Sequence, residues 1–75
     1  MRRYGDPAGD SRIRAFEFSA DGITVEFQDG AIYRYDHANT GLANIQQMKQ
    51  LALSGKGLNR YIDRYARRNY ALRLR

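Results

Sequence analysis

The sequence predicts an α+β domain in which a three-stranded antiparallel β-meander is covered by a two-helix hairpin, in the order β-β-β-α-α. Three observations carry this. Two Asp-Gly pairs, Asp21-Gly22 and Asp29-Gly30, separate short runs of alternating apolar and polar residues, the strongest short-range hairpin signal. From Gly41 to Arg68 the apolar residues recur at helical spacing, as on the inward face of an amphipathic helix. Within that stretch Gly55-Lys56-Gly57 marks a break, with Gly55 suited to a left-handed helix end and Gly57 to an immediate reversal.

Taken in order, residues 1–11 hold the single proline, two glycines and little that packs, and read as a flexible N-terminal arm on which only Tyr4 is suited to dock. Residues 12–72 form the domain, and residues 73–75 a basic tail. The first strand, Arg12 to Ala20, alternates imperfectly but sets Phe16 and Phe18 on one face. The second, Ile23 to Gln28, sets Ile23, Val25 and Phe27 opposite Thr24, Glu26 and Gln28. The third, Ala31 to Asp36, puts Tyr33 and Tyr35 together. A two-residue turn at Asp21-Gly22 pairs Phe18 with Val25 and Phe16 with Phe27. A three-residue turn, Gln28-Asp29-Gly30 with Gly30 left-handed in a G1 bulge, pairs Val25 with Tyr33 and Ile23 with Tyr35. That register brings the tyrosines to the core face; the alternative is an exposed pair on which nucleobases stack.

Asp36 to Asn39 is a connector, with Asn39 or Thr40 as N-cap of the first helix. On that helix Leu42, Ile45, Met48, Ala52 and Leu53 share one arc. Lys49 falls inside it, either packing its stem with the ammonium in water or gripping a phosphate from the rim. The second helix, Leu58 to about Arg68, turns Leu58, Tyr61, Ile62 and Tyr65 inward at i, i+3, i+4, i+7 spacing. Arg60, Arg64 and Arg67 line the opposite face with Arg68 at its border, and Lys56 extends the row. The expected core is Phe16, Phe18, Ile23, Val25, Phe27, Leu42, Ile45, Met48, Ala52, Leu58, Ile62 and Tyr65.

At 75 residues the chain is one small domain that buries about 60% of its unfolded surface. Cysteine is absent, so packing alone must hold it. No apolar run reaches the roughly 20 residues that span a bilayer, and the start lacks the apolar centre of a signal peptide. A cytoplasmic location is the expectation. The net charge of +5 is unevenly spread: residues 1–37 hold five arginines against seven acids, and residues 38–75 hold eight bases against Asp63 alone. The C-terminal half therefore faces an anionic partner, or is a solvated basic face that keeps the protein soluble.

Catalysis is not expected. There is one histidine, His37, no cysteine and no acid or histidine grouping at metal-ligand spacing, so no catalytic residue, metal, cofactor or small-molecule substrate is assigned. Glu17 and Glu26 would face each other across the first hairpin, on a sheet too small to raise a carboxylate pKa. Ser54-Gly55-Lys56-Gly57 lacks the spacing and the strand of a phosphate loop. The basic helix is the better signal, because guanidinium forks give bidentate, permanently charged contacts to phosphate. The expectation is a non-catalytic module binding RNA before DNA through Lys49, Lys56, Arg60, Arg64, Arg67 and Arg68, with Tyr33 and Tyr35 as candidate stacking residues. The alternative is a protein-interaction module with an acidic partner, or one that self-associates through a sheet edge. A membrane role is disfavoured, since the helix needs its apolar stripe for the core.

The chain also resembles the KTSC domain, named for its place at the C-terminus of some lysyl-tRNA synthetases. Phe27, Gly30, Tyr33 and Tyr35 match its F-x-x-G-x-x-Y-x-Y segment. Ser54, Gly55-Lys56-Gly57 and Asn59 match its following small-residue segment, and the likeness covers about residues 12–70. The first hairpin is shorter than in the family, and a Val-Pro before the first helix is missing. The resemblance implies a free-standing bacterial protein of β-β-β-α-α order. It implies RNA binding only by association with the synthetase, since the family has no established activity.

Overall fold

In a computed structural model the described residues are 1–5 and 12–75. They form an α+β fold with a five-stranded antiparallel sheet in sequential order. The strands are β1 (Arg2–Arg3), β2 (Ile13–Ser19), β3 (Gly22–Phe27), β4 (Ile32–Asp36) and β5 (Leu72–Arg73). Between β4 and β5 come α1 (His37–Thr40), α2 (Leu42–Ser54) and α3 (Leu58–Tyr61), the last running directly into a π-helical stretch, Ile62–Ala66. The expected meander is present as β2, β3 and β4. Its two edges, however, are each covered by a strand of two residues, where the sequence suggests a loose arm and a tail.

Both corrections have the same cause. The edges of a meander present rows of unpaired backbone donors and acceptors, and the chain ends satisfy them. Arg2 pairs with Phe16 and Arg3 with Ala15, and the Tyr4 amide donates to the Arg14 carbonyl at 2.9 Å. At the other edge Tyr33 pairs with Arg73 and Arg34 with Leu72, and the Leu74 amide donates to the Ile32 carbonyl at 2.7 Å. The remainder of the expected arm, residues 6–11, lies outside the described residues. Tyr4 itself belongs to the core, only 7% exposed, its ring edge-on to Phe16 at 6.5 Å.

The second hairpin has the expected register. Val25 pairs with Tyr33 and Ile23 with Tyr35, because Gly30 takes φ +92° and closes a three-residue loop through its amide to the Phe27 carbonyl at 3.0 Å. The first hairpin is shifted. Phe16 pairs with Val25, Phe18 with Ile23 and Ser19 with Gly22, so Ala20 and Asp21 make the turn and Gly22 is a strand residue. The reason is on the far side of Gly22, where a Cβ would overlap the Tyr35 carbonyl oxygen of β4. Its glycine serves close approach rather than turn geometry. A register shift between Ile13 and Ala15 makes Arg14 a bulge, which explains the imperfect alternation: Ile13 and Phe16, three apart, both reach the core.

Neither Asn39 nor Thr40 caps the expected first helix, α2, whose N-cap is Gly41 with no side-chain hydrogen bond. A short helix not expected from the sequence, α1, precedes it and is opened by Asp36, whose carboxylate accepts from the Asn39 amide at 2.9 Å; Gly41 at φ +96° separates α1 from α2. Thr40 instead donates its hydroxyl to the Asn69 carbonyl at 2.6 Å. Gly55, left-handed at φ +77°, ends α2 as expected, its amide reaching the Ala52 and Leu51 carbonyls.

The core has Phe16, Ile23, Val25, Ile45, Met48, Ala52, Leu58 and Ile62 as expected, with Phe27 packed at its rim. Phe18, Leu42 and Tyr65, however, are 38%, 53% and 54% exposed. Phe18 sits by the first turn against the Phe16 ring, at 5.2 Å between centroids, and the Lys49 ammonium, at 5.6 Å from its centre. Leu42 occupies the first position of α2. Tyr65 is displaced by the π-helical stretch: its wider i→i+5 turn makes Leu58, Ile62 and Ala66 the buried line, so Ala66 takes the inward position expected for Tyr65. Tyr4, Ile13 and Tyr35 supply the rest of the core.

Two outcomes follow. The Tyr4 hydroxyl accepts from the buried Leu58 amide at 3.2 Å, so Tyr4→Phe should cost about 1–3 kcal/mol by leaving that donor unsatisfied. Urea unfolding checks this, and a variant as stable as the parent would show that the hydroxyl does nothing. The second concerns pH. The side-chain and backbone hydrogen bonds from Asn39 hold the Asp36 carboxyl below its ordinary value of 3.8. A depressed carboxyl contributes stability that is complete above that unfolded-state value and is lost as pH falls through the lower folded one. The gap in urea midpoint between the parent and Asp36→Ala should therefore be constant near neutrality and narrow below about pH 4.

Candidate nucleic-acid interface

The arginine-bearing segment begins where the chain turns sharply back. Gly57, at φ +83°, precedes α3 and offers no side-chain cap; the Tyr4 hydroxyl takes that role for the Leu58 amide. With Leu58, Ile62 and Ala66 buried and Asn59 and Tyr61 half-buried, the charged positions face outward. Lys56, Arg60, Arg64, Arg67 and Arg68 are all exposed. Among the described residues the ion pairs are Arg14 with Glu26 at 3.7 Å and Arg34 with Asp21 at 2.7 Å. None of these five cations takes part in one, although Asp63 stands one turn from both Arg60 and Arg67.

Lys49 stands apart from them. Its ammonium donates to the Ser19 carbonyl at 2.8 Å and lies 5.6 Å from the Phe18 ring centre. It fastens α2 to the β2–β3 turn, where the sequence alone allows either a solvated ammonium or a phosphate grip.

The tyrosines change places. Tyr35 is 2% exposed, so its ring face is closed to a nucleobase. Burial pushes its hydroxyl pKa well above the ordinary value, with Tyr33, Asp63 and Tyr70 acting in the same direction. Tyr33 is half-buried, edge-on to Phe27 at 5.8 Å and to Tyr70 at 4.8 Å, with the Arg73 guanidinium 5.4 Å from its centre. Tyr65 is the most open of the described aromatics, 54% exposed against 38% for Phe18 and 39% for Tyr70. It leans on Tyr61 at 4.8 Å, and Tyr61 is itself fixed by donating its hydroxyl to the Asn44 Oδ1 at 2.6 Å. Tyr65 thus stands among the arginines on an anchored neighbour. Nothing in the periodicity reveals this, because an α-helical wheel turns Tyr65 inward.

The expected pairing of Glu17 with Glu26 does not occur: with the first turn shifted, Glu17 faces Thr24 and Glu26 faces Ala15. His37 is the first residue of α1, not a connector residue. Among the described residues no three histidine, cysteine or acidic side chains gather where they could hold a metal ion, and no helix is long and apolar enough to cross a membrane. No protein-family profile, curated protein or solved structure matches the chain.

The tie to Ser19 gives Lys49 a structural role that can be separated from anion binding. Lys49→Met should lower the urea midpoint, by about 1 kcal/mol in stability, and leave unchanged the salt dependence of any RNA binding that the parent shows. A drop of about 0.7 in the slope of log K against log salt would instead return Lys49 to the phosphate-contacting set.

Proposed function

We propose that the chain is a non-catalytic module that binds single-stranded nucleic acid, RNA before DNA, through Lys56, Arg60, Arg64, Arg67 and Arg68. The observation that carries this reading is an exposed Tyr65 set among arginines that take part in no ion pair among the described residues. Guanidiniums without carboxylate partners are available for bidentate phosphate contacts. Arg60 and Arg68 are eight residues apart, on either side of the π-helical stretch, so the exposed arginines are spread over two turns and not gathered at one point. An exposed aromatic beside them adds base stacking, worth about 1–3 kcal/mol per base and tolerant of sequence. Phosphate contacts position without specifying, so these residues account for affinity and not for choice of sequence.

The preference for RNA rests on the KTSC resemblance, which we retain as part of the proposal together with a cytoplasmic, bacterial setting. The rival, a module that binds an acidic protein or pairs with itself edge to edge, is weakened by the sheet. Its edges are strands of two residues each, and very short edge strands are how natural sheets blunt such pairing.

Fluorescence anisotropy with labelled single- and double-stranded RNA and DNA tests the proposal. The parent should bind single-stranded RNA with an affinity that falls steeply between about 50 and 200 mM salt. Arg60→Gln/Arg64→Gln/Arg68→Gln should weaken binding and lower the salt slope by about 2, at roughly 0.7 for each phosphate no longer neutralised. Tyr65→Ala should weaken binding about tenfold without changing that slope. Absence of binding at the lower salt, or a triple variant that binds like the parent, would overturn the assignment.

A further inference from the structure

Beside the arginine-bearing helix lies a cleft of about 390 Å³ between the β4–β5 edge and the π-helical stretch. It is lined by Arg12, Arg67 and Arg73, by Tyr33 and Tyr70, and by two acids, Asp63 and Asp29, the second of which already accepts from the Ala31 amide at 3.0 Å. We propose that this cleft binds one nucleotide unit, base and phosphate together, with guanine the best-fitting base. The proposal rests on the nucleic-acid reading above and deepens it: the outer arginines hold the strand, and the cleft takes a single extruded or terminal nucleotide.

Four observations converge on that ligand. Ligand sites occupy about 300–1,000 Å³, so the cleft holds one nucleotide and not an oligonucleotide. The Arg73 guanidinium lies over the Tyr33 ring at 5.4 Å, and Tyr70 meets the same ring edge-on at 4.8 Å. Bases stack on both aromatic rings and guanidinium planes in single-stranded recognition, so a platform of this kind is already assembled. Three guanidiniums gathered at one cleft suit a phosphate, and their planar forks bind it bidentately. Finally, the Asp63 carboxylate accepts no hydrogen bond and makes no ion pair among the described residues. A simple anion would meet only repulsion from it. Guanine presents two parallel N–H donors on its Watson–Crick edge, matching the two oxygens of a carboxylate, and that edge is how unstacked bases are read.

The cleft is put together by parts far apart in sequence. Arg12 precedes β2, Tyr33 is on β4, Asp63 and Arg67 come from the last helix, and Tyr70 and Arg73 flank or form β5. It exists only because the C-terminal segment pairs with β4.

The test uses the full chain, titrated with guanosine monophosphate, uridine monophosphate and inorganic phosphate separately, and followed by backbone amide chemical shifts. Guanosine monophosphate should shift resonances at Tyr33, Asp63, Tyr70 and Arg73, and should bind about tenfold tighter than inorganic phosphate, the difference expected from stacking one base. Tyr70→Ala and Arg67→Gln should each weaken it about fivefold or more. Tyr70→Phe, which keeps the ring, should bind as the parent does, and Asp63→Asn should erase the advantage over uridine monophosphate. Arg60→Gln/Arg64→Gln/Arg68→Gln should leave guanosine monophosphate binding intact while losing RNA. Phosphate binding as tightly as the nucleotide, or shifts confined to Arg60, Arg64 and Arg68, would overturn the cleft assignment while leaving the nucleic-acid reading to its own RNA titration. If the nucleotide binds at the cleft but RNA binds nowhere, the nucleic-acid reading fails, and with it the strand-holding part of this proposal.

Discussion

The hydrogen bond from the Leu58 amide to the Tyr4 hydroxyl joins residues 54 positions apart, and much of the architecture depends on it. A helix leaves its first amides without intrahelical partners, and Gly57 brings no side chain to satisfy them. The capping group comes instead from the residue that follows the first strand. To deliver it, β1 must pair with β2 and the chain must then pass close beneath the αα-turn. A Cβ at Gly55 would overlap the Gly5 carbonyl oxygen. Gly55 therefore answers two demands at once, a left-handed helix end and a near approach of two backbones. One buried tyrosine thus fixes the sheet edge, the helix turn and the start of the arginine-bearing segment relative to each other.

What could be read in the sequence was what local chemistry decides. The G1 bulge at Gly30 followed from a three-residue count and the need to bring Tyr33 and Tyr35 to the core face, and the register is as the count required. The glycine end of α2 followed from helix-capping geometry. What could not be read was decided by neighbours distant in sequence. Gly22 looked like a turn residue beside Asp21 and is instead the point where β4 crowds β3. Arg14 broke an alternation because it is a bulge, and only the partner strand shows it. The edge strands are too short for any periodicity to announce. One signal at the C-terminus was present all the same: Ala71-Leu72-Arg73-Leu74-Arg75 alternates as a strand does.

The candidate site divides along the same line. That the C-terminal half carries the positive charge was plain from counting. Which cations are available was not, because availability is a matter of partners. Lys49 and the four helix arginines looked alike in sequence, yet Lys49 is committed to a backbone carbonyl. The stacking residues illustrate the same limit. Tyr33 and Tyr35 were singled out by adjacency on a strand, but the register that brings them to the core face closes Tyr35 to any base. Tyr65, placed inward by an ideal wheel, is the one left outside.

The π-helical stretch is what links the fold to both proposed binding surfaces. An α-helix continued from Leu58 would bring Tyr65 to the buried line and keep Arg60, Arg64 and Arg67 as one outward row. The wider turn over Ile62–Ala66 slips that line by one residue. Ala66, small enough to be wholly buried, goes in, and Tyr65 comes out among the arginines. By the same slip Arg67, still exposed, also reaches the cleft wall beside Asp63. Such stretches are rare and concentrate at functional sites, since they are stable only where surrounding packing compensates for poorer helix geometry. Here the compensation is visible in Leu58, Ile62 and Ala66, which keep an unbroken apolar line at four-residue spacing through the irregular turn. A single local irregularity thus divides one run of arginines between an outer face suited to a strand of phosphates and a cleft suited to one nucleotide.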